Sequence, residues 1–293
     1  MSMSSGSFPL GRPETTPRRI TVGEVDIFYR EAGMPGNPAL LLLHGFPTSS
    51  HMFRNLMPLL ADRFHVVAPD LPGFGFTSAP ERDHFTYSFD SLAQVVQSFT
   101  DALELKRFAI YVFDYGAPVG FRLALSRPDR ITAIISQNGN AYEEGLSDGW
   151  ALLQAYWKNP TAENREALRG LLTLETTRWQ YVHGTPDPNR VAPEAYWLDY
   201  VLMSQAGNDE IQLDLFRDYA SNIALYPRVQ EYLARHRPPL LAVWGKHDPF
   251  FLPAGAAAFR RHNPDTEVHL LDAGHFALET HVVEIADHIR TFL

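Results

Sequence analysis

The sequence contains no cysteine, and this absence excludes several kinds of chemistry. None of its 293 residues can form a disulfide, ligate a metal through a thiolate or serve as a cysteine nucleophile. It has no apolar run long enough to span a bilayer, and residues 1–18 lack the apolar core of a secretory signal. We therefore expect a soluble, cytoplasmic protein in which residues 1–18 form a flexible N-terminal segment.

Positive charge is also scarce. The chain has 25 Lys and Arg against 34 Asp and Glu, so its net charge is −9. A negative surface disfavours phosphate backbones and anionic lipid, so we expect neither nucleic acid nor a membrane as a partner. The hydrophobic content of 45% is ordinary for a globular protein, and the length suffices for a large core. Self-association into a homodimer is compatible with this composition.

What the sequence does contain is an alternation of apolar runs and helical spacing. Short apolar runs predict buried strands at residues 39–43, 108–113, 131–136 and 240–244. Alternation of this kind predicts an α/β fold with a mostly parallel central sheet. The alternation is absent from residues 141–227, where only helical segments and turns are visible. We therefore predict a core of residues 19–140 and 228–293, with a helical cap at 141–227 above the carboxyl ends of the strands.

The clearest candidate for chemistry is Asp114, which lies where a predicted strand runs into a helix. Its neighbourhood, VFDYG at residues 112–116, matches a nucleophile elbow except that Val112 replaces the usual first glycine. Taken alone, an aspartate here also fits a helix N-cap.

Two further polar residues follow later strands. Asp248 comes after the strand at 240–244, and His275 precedes the last helix. Each alone fits an ordinary turn or loop residue. Together with Asp114, they reproduce the order nucleophile, acid, histidine found in hydrolase triads. Glu143, after the strand at 131–136, is the alternative acid.

These features resemble the α/β-hydrolase superfamily over about residues 19–293, and most closely its branch with an aspartate nucleophile, the epoxide hydrolases and haloalkane dehalogenases. The segment His44-Gly45-Phe46-Pro47 resembles the oxyanion motif of epoxide hydrolases, and residues 114–119 resemble their nucleophile motif, with Tyr115 where Trp is usual. The resemblance implies an α/β-hydrolase fold. It also implies that the backbone N–H groups of Phe46 and Tyr115 bind the oxyanion, and that His44 and Pro47 belong to the substrate-binding loop.

An aspartate nucleophile restricts the reaction. A carboxylate suits displacement at a saturated carbon and leaves an alkyl ester, whereas attack on an ester or peptide would give a reactive anhydride. His275, oriented by Asp248, would then activate a water to hydrolyse the ester, so we expect activity to fall in acid. The expected substrate is a small apolar electrophile, with water as co-substrate and without a metal or organic cofactor.

The leaving group separates the two branches of the resemblance. Haloalkane dehalogenases bind halide through Trp or Asn N–H donors at the positions of Tyr115 and Phe46, and fluoroacetate dehalogenases carry Arg at the positions of Tyr115 and Pro118. Epoxide hydrolases instead use cap tyrosines, and the predicted cap holds seven of the 12 tyrosines. The resemblance implies that Tyr219 opens the ring, with Tyr156, or else Tyr142, as its partner.

Three alternatives stay open at this point. Haloalkane dehalogenation is the second choice, and a non-catalytic ligand-binding protein on the same fold is the third, since fold does not determine function. A metal site at His275, Glu279 and His281 is disfavoured because their spacing does not match the HExxH pattern.

Overall fold

The computed structural model describes residues 14–78 and 80–293. Within them, eight strands form one sheet: β1 Thr16–Val22, β2 Val25–Ala32, β3 Ala39–Leu43, β4 His65–Pro69, β5 Phe108–Phe113, β6 Ile131–Gln137, β7 Leu240–Gly245 and β8 Glu267–Leu271. Their spatial order is β1-β2-β4-β3-β5-β6-β7-β8. Strand β2 is antiparallel to β1 and β4, and the strands from β3 to β8 pair in parallel. The predicted mostly parallel α/β sheet is confirmed.

Helices occupy both faces of the sheet and the long connection between β6 and β7. The α-helices are α1 Met57–Leu60, α2 Phe89–Ala102, α3 Gly116–Ser126, α4 Ala151–Lys158, α5 Ala162–Ala167, α6 Leu174–Val182, α7 Pro193–Met203, α8 Asn208–Asp218, α9 Ala220–His236, α10 Pro253–His262 and α11 Leu278–Phe292. Short 3-10 helices lie at Ser50–Phe53, Pro128–Arg130, Glu143–Gly145, Asp148–Trp150, Leu168–Leu172 and Pro188–Arg190.

The sheet has an apolar core on each face because its central strands are apolar throughout. All six residues of β5 are buried, as are all six of β7. Side chains of α2, α3 and α10 pack on one face, and those of α1 and α11 pack on the other. This two-sided burial explains why these strands read as continuous apolar runs rather than as alternating patterns.

The strand order reverses between β3 and β5, and this reversal positions the site. The chain runs from β3 outward to β4 and then returns to the other side of β3 as β5. Leu43, which ends β3, pairs with Val112 near the end of β5. The loops that begin at His44 and Asp114 therefore leave the same edge side by side, where open α/β sheets bind ligands.

Residues 16–18 were expected to belong to a flexible N-terminal segment, but they form part of the edge strand β1. Residues 1–13 of the predicted flexible segment lie outside the described residues, but Thr16 already belongs to β1, where it pairs with Glu31 of β2. Pro17 is compatible with this strand because β1 is at the edge of the sheet, where a missing N–H costs no ladder bond.

The connection between β6 and β7 contains helices and turns, and no strand falls between Gln137 and Leu240. The predicted cap boundary at residue 227 lies inside α9, which continues through Pro227 to His236. Pro227 did not end this helix, although proline is a usual stop signal. We keep the division into core and cap as a proposal in which α9 belongs to both parts.

Candidate active site

Asp114 lies on the sharp turn between β5 and α3. Its backbone has φ +48°, a left-handed conformation that short polar residues tolerate better than most. Its carboxylate Oδ1 accepts a hydrogen bond of 2.6 Å from the backbone N–H of Phe46. The nearby backbone amide of Tyr115 also lowers the pKa of this carboxyl group. The turn therefore directs the carboxylate toward the loop after β3.

Val112 stands where the elbow pattern usually has its first glycine, and Gly120 of α3 makes room for its side chain. A Cβ atom on Gly120, one turn into α3, would lie 2.5 Å from Val112 Cγ1. The absence of a side chain at residue 120 thus provides the space that the valine side chain fills. This packing explains how the elbow accommodates Val112.

Asp248 and His275 meet beside this turn. His275 Nδ1 lies 2.7 Å from Asp248 Oδ2, and both side chains are buried. The other carboxylate oxygen of Asp248 accepts hydrogen bonds from the backbone N–H groups of Phe250 and Phe251, at 2.7 and 3.1 Å. Asp248 is therefore held by backbone donors while it orients the imidazole.

Asn138, directly after β6, completes this arrangement, and sequence reasoning missed it. Its Nδ2 donates to Asp248 Oδ2 at 2.7 Å, and its Oδ1 accepts from Gly245 N–H at 3.0 Å. The alternative acid Glu143 lies in a 3-10 helix beyond this point and is exposed. The available signal was the position of Asn138, a polar residue immediately after a buried strand, as for the other candidates.

The electrostatics of the site favour a weakly solvated carboxylate beside a basic histidine. Burial raises the pKa of Asp114 to about 6, although His275 and the backbone donors oppose that rise. For His275, burial disfavours the imidazolium, but the charge and hydrogen bond of Asp248 outweigh it and raise the pKa above 6.5. The facing atoms, His275 Nε2 and Asp114 Oδ2, are 4.0 Å apart.

A mostly apolar cavity of about 40 Å³ opens on these residues. Its polar lining consists of Asp114, Tyr115, Gln180 and His275, and its apolar lining of Phe46, Trp150, Leu153, Leu171, Phe216 and Phe250. The few polar groups of this lining lie among aromatic and aliphatic side chains, as in a site for a small apolar ligand.

The three predicted cap tyrosines do not line the cavity. Tyr219 packs against two residues that do line it, because its ring centroid lies 5.6 Å from that of Tyr115 and 4.6 Å from that of Trp150. Burial raises the pKa of Tyr219 well above 10.

Tyr156 and Tyr142 face elsewhere. The Tyr156 hydroxyl accepts a hydrogen bond of 3.3 Å from Arg165, and the Tyr142 hydroxyl lies 3.2 Å from His262 Nδ1 in α10. We therefore correct the expectation that either residue contacts substrate. Aromatic residues in the cap look alike in sequence, and only packing separates those that face the cavity.

His44 and Pro47, the remaining candidates in the loop after β3, do not contact the cavity. The His44 imidazole is buried beneath the loop, where Nε2 accepts from Leu71 N–H at 2.9 Å and Nδ1 lies 3.0 Å from the Gly45 carbonyl. His44 therefore braces the turn that presents the Phe46 N–H. Neither His44 nor Pro47 lines the cavity.

Gln180 is the second residue that sequence reasoning missed. It lies on α6, is 2% exposed and lines the same cavity as Asp114 and Tyr115. No strand end or motif marked it, because its place depends on how α6 packs.

The part of the chain that the structure describes offers neither a metal site of this kind nor a membrane-spanning helix. In residues 14–78 and 80–293, no group of three or more His, Asp or Glu side chains is arranged to hold a metal ion. Over the same residues, no helix combines the length and apolarity needed to cross a membrane.

The fold and the elbow define a class of protein, and the comparisons agree. The family described as alpha/beta hydrolase fold matches residues 38–282, and the chain belongs to that family. The protein is a hydrolase of this family. A yeast relative, the uncharacterized hydrolase YNR064C of Saccharomyces cerevisiae, is 51% identical over 269 residues, which cover 90% of this chain and 92% of the relative.

The chain is also similar to two proteins whose names state an activity, one in sequence and one in structure. A haloalkane dehalogenase of Mesorhizobium japonicum is 37% identical over 134 residues, covering 45% of this chain and 42% of that protein. The crystal structure of epoxide hydrolase A from Mycobacterium thermoresistibile superposes with a TM-score of 0.75 at 24% identity, covering 96% of this chain and 98% of the other. The structural likeness concerns the fold.

Proposed function

We propose that Asp114 is the nucleophile of this hydrolase, that it forms a covalent alkyl ester, and that its preferred substrates are epoxides. The observation that carries the proposal is the environment of one carboxylate. Phe46 N–H binds Oδ1 at 2.6 Å, while Oδ2 faces His275 Nε2 at 4.0 Å. A carboxylate at this place attacks saturated carbon productively, whereas acyl substrates would yield an anhydride.

In the first step, Asp114 Oδ2 attacks an epoxide carbon. The bond from that carbon to the ring oxygen breaks, and its electron pair passes to the oxygen. With a pKa of about 6, the nucleophile is ionised at neutral pH. We assign the proton for the ring oxygen to Tyr219. Its ring packs 5.6 Å from Tyr115 and 4.6 Å from Trp150, both of which line the cavity, so Tyr219 reaches the substrate when these two side chains shift.

In the second step, His275 takes a proton from a water molecule that attacks the carbonyl carbon of the ester. Asp248 keeps the imidazole oriented and stabilises its charge. The oxyanion develops on Oδ1, where the N–H of Phe46 is already aimed. When the intermediate collapses, the diol oxygen takes the proton from His275, and the second proton of the water restores Tyr219.

Haloalkane dehalogenation is the second candidate because of the 37% identity over 134 residues to the named haloalkane dehalogenase. Halide leaves without a proton, so Tyr219 would have no acid role. The side chains of Phe46 and Tyr115 carry no N–H donor for a halide. For this reason we rank epoxides first.

The test uses a His275→Gln variant with styrene oxide and 1,2-dibromoethane. This variant should form the ester and fail to hydrolyse it, so intact-protein and peptide mass spectrometry should find an adduct on Asp114. Absence of an adduct with both substrates, in folded protein, would contradict the shared mechanism. In the native enzyme, turnover of dibromoethane without turnover of styrene oxide would reverse the ranking of the two candidates.

A further inference from the structure

The fully buried side chains of α6 include no aliphatic residue, and only the partly buried Val182, at the end of the helix, packs on the core. The fully buried side chains are Thr177, Gln180 and Tyr181. Thr177 bonds back to the Thr173 carbonyl at 2.9 Å, which satisfies its hydroxyl within the helix. A helix normally buries an apolar stripe, so apolar packing alone does not explain why α6 buries Thr177 and Gln180.

Tyr181 explains how the buried side of α6 is fixed. Its ring stacks on Phe276 with centroids 3.7 Å apart and an interplanar angle of 11°, and its hydroxyl donates to the buried carboxyl group of Asp199 in α7. Phe276 directly follows His275 in the chain. The stack therefore holds α6 against the loop of the catalytic base and fixes the direction of its neighbour, Gln180.

Gln180 faces the cavity with its hydrogen-bonding capacity unused. It is 2% exposed and lines the cavity, and no hydrogen bond among residues 14–78 and 80–293 involves its side-chain amide. The amide is not one of the buried polar atoms that lack both solvent access and a partner, so it is open to the cavity and can hydrogen-bond a molecule bound there.

The other polar groups of the lining are engaged elsewhere or have another place in the reaction. The indole N–H of Trp150 donates to the Phe250 carbonyl at 3.0 Å. Asp114 and His275 are assigned as nucleophile and base. The Tyr115 hydroxyl has no partner, but it lies on the elbow itself, beside the nucleophile rather than on the cap. Gln180 is therefore the free amide donor that the cap presents to the cavity.

We propose that the side-chain amide of Gln180 binds the leaving atom, the ring oxygen of an epoxide or the halogen of a haloalkane, as Asp114 attacks. This rests on the proposed function. As the bond from Asp114 Oδ2 to carbon forms, the bond from carbon to the leaving atom breaks and its electron pair becomes negative charge there. The Gln180 N–H groups stabilise that charge by hydrogen bonding. They transfer no proton, so an epoxide oxygen still receives its proton from Tyr219, whereas halide leaves as an anion.

The experiment isolates the alkylation step by placing Gln180 substitutions in the His275→Gln protein. Gln180→Met keeps the shape and removes both donors, so we expect adduct formation on Asp114 about 100-fold slower, with substrate affinity little changed. An unchanged alkylation rate overturns the proposal.

A second substitution gives a readout that a structural role does not predict. In Gln180→Glu, the carboxyl group donates a hydrogen bond only when protonated. Alkylation by this variant should recover as the pH falls, until protonation of Asp114 removes the nucleophile. A rate that only falls toward acid, as in the parent, counts against leaving-atom binding.

Gln212 provides a matched control. It is a buried glutamine of the cap that does not line the cavity; its Nε2 donates to the Gly73 carbonyl at 2.9 Å, and its Oε1 is buried without a partner. Gln212→Met should lower Tm and leave the alkylation rate intact. An equal loss of rate in this control means that the Gln180 effect is structural and overturns the proposal.

Failure of the proposed function is separable from failure of this inference. If the His275→Gln parent forms no adduct, the function proposal fails, and Gln180 is then tested by binding alone. Its side-chain amide resonances, assigned by their loss in Gln180→Met, should shift when styrene glycol or bromide is added. Resonances that do not shift with either ligand overturn the assignment of Gln180.

Discussion

His275 Nε2 lies 4.0 Å from Asp114 Oδ2, beyond the length of a direct hydrogen bond. On its other side, the same ring is held at 2.7 Å from Asp248. The imidazole is thus fixed at one nitrogen and available at the other, as a base for water requires. In the proposed reaction, Nδ1 therefore serves to orient the imidazole and Nε2 serves to accept a proton from water.

Replacing Asp114 with Asn removes the proposed nucleophile and keeps the size of the side chain. Asn tolerates the left-handed φ of +48° at this residue, so the fold should persist. Turnover of styrene oxide should fall by at least about 10³-fold, as for other lost nucleophiles. Ligand binding that survives in this variant, while the native protein shows no turnover of any epoxide or haloalkane, would indicate a non-catalytic binding protein.

Both chemical steps should slow in acid, at different pH values. Alkylation requires ionised Asp114, so its rate should rise with pH through about 6. Hydrolysis of the ester requires neutral His275, whose pKa is raised above 6.5, so its rate should rise at higher pH. Stopped-flow fluorescence of the cavity residue Trp150 separates the two steps. A step that accelerates toward acid would contradict the corresponding role.

Removing the amide of Asn138 should impair the base through Asp248. Asn138→Gly suits the φ of +48° and deletes the 2.7 Å hydrogen bond to Asp248. We expect kcat to fall about 10-fold or more with little change in KM, because a misplaced base slows ester hydrolysis. The matched control is Glu104→Gly, an exposed residue with φ +54° whose replacement should leave kcat unchanged. Equal kcat values in the two variants would remove Asn138 from the mechanism.

A single methyl group at Gly45 should disturb the nucleophile. An added Cβ would lie 2.2 Å from Asp114 Oδ1, which is closer than any non-bonded contact allows. Gly45→Ala should therefore displace the carboxylate from the Phe46 N–H and slow alkylation about 100-fold. Gly170→Ala, where an added Cβ meets nothing within 4 Å, should retain the native rate. Normal alkylation in Gly45→Ala would mean that the observed carboxylate position is not the reactive one.

Asp199 should make the fold less stable as pH rises. Burial raises its pKa to about 8, whereas in the unfolded chain it titrates near 3.8. Between these values the folded state holds a proton that the unfolded state has released, so the free energy of unfolding falls with increasing pH. Asp199→Asn should remove this dependence and raise Tm at pH 8 by about 3 °C or more. A Tm that falls equally at pH 5 and pH 8 would contradict this account.

The sequence predicted those parts of the site that follow from strand order. Asp114 follows β5 directly, whereas Asp248 and His275 lie three and four residues after β7 and β8, and parallel strands bring their carboxyl ends to one edge. Gln180 and Tyr142 show where that reasoning ends. Both belong to the connection between β6 and β7, where the direction of a side chain depends on packing between helices rather than on a strand period. Asn138 was predictable in principle, since it also follows a strand directly.

The stack of Tyr181 on Phe276 joins the cap to the loop of the base. Because Phe276 follows His275 directly in the chain, a displacement of α6 would be transmitted through this stack to the loop that holds the imidazole. The packing of the helical connection and the alignment of the candidate base are therefore coupled, and a substitution far from Asp114 in α6 can change the position of His275.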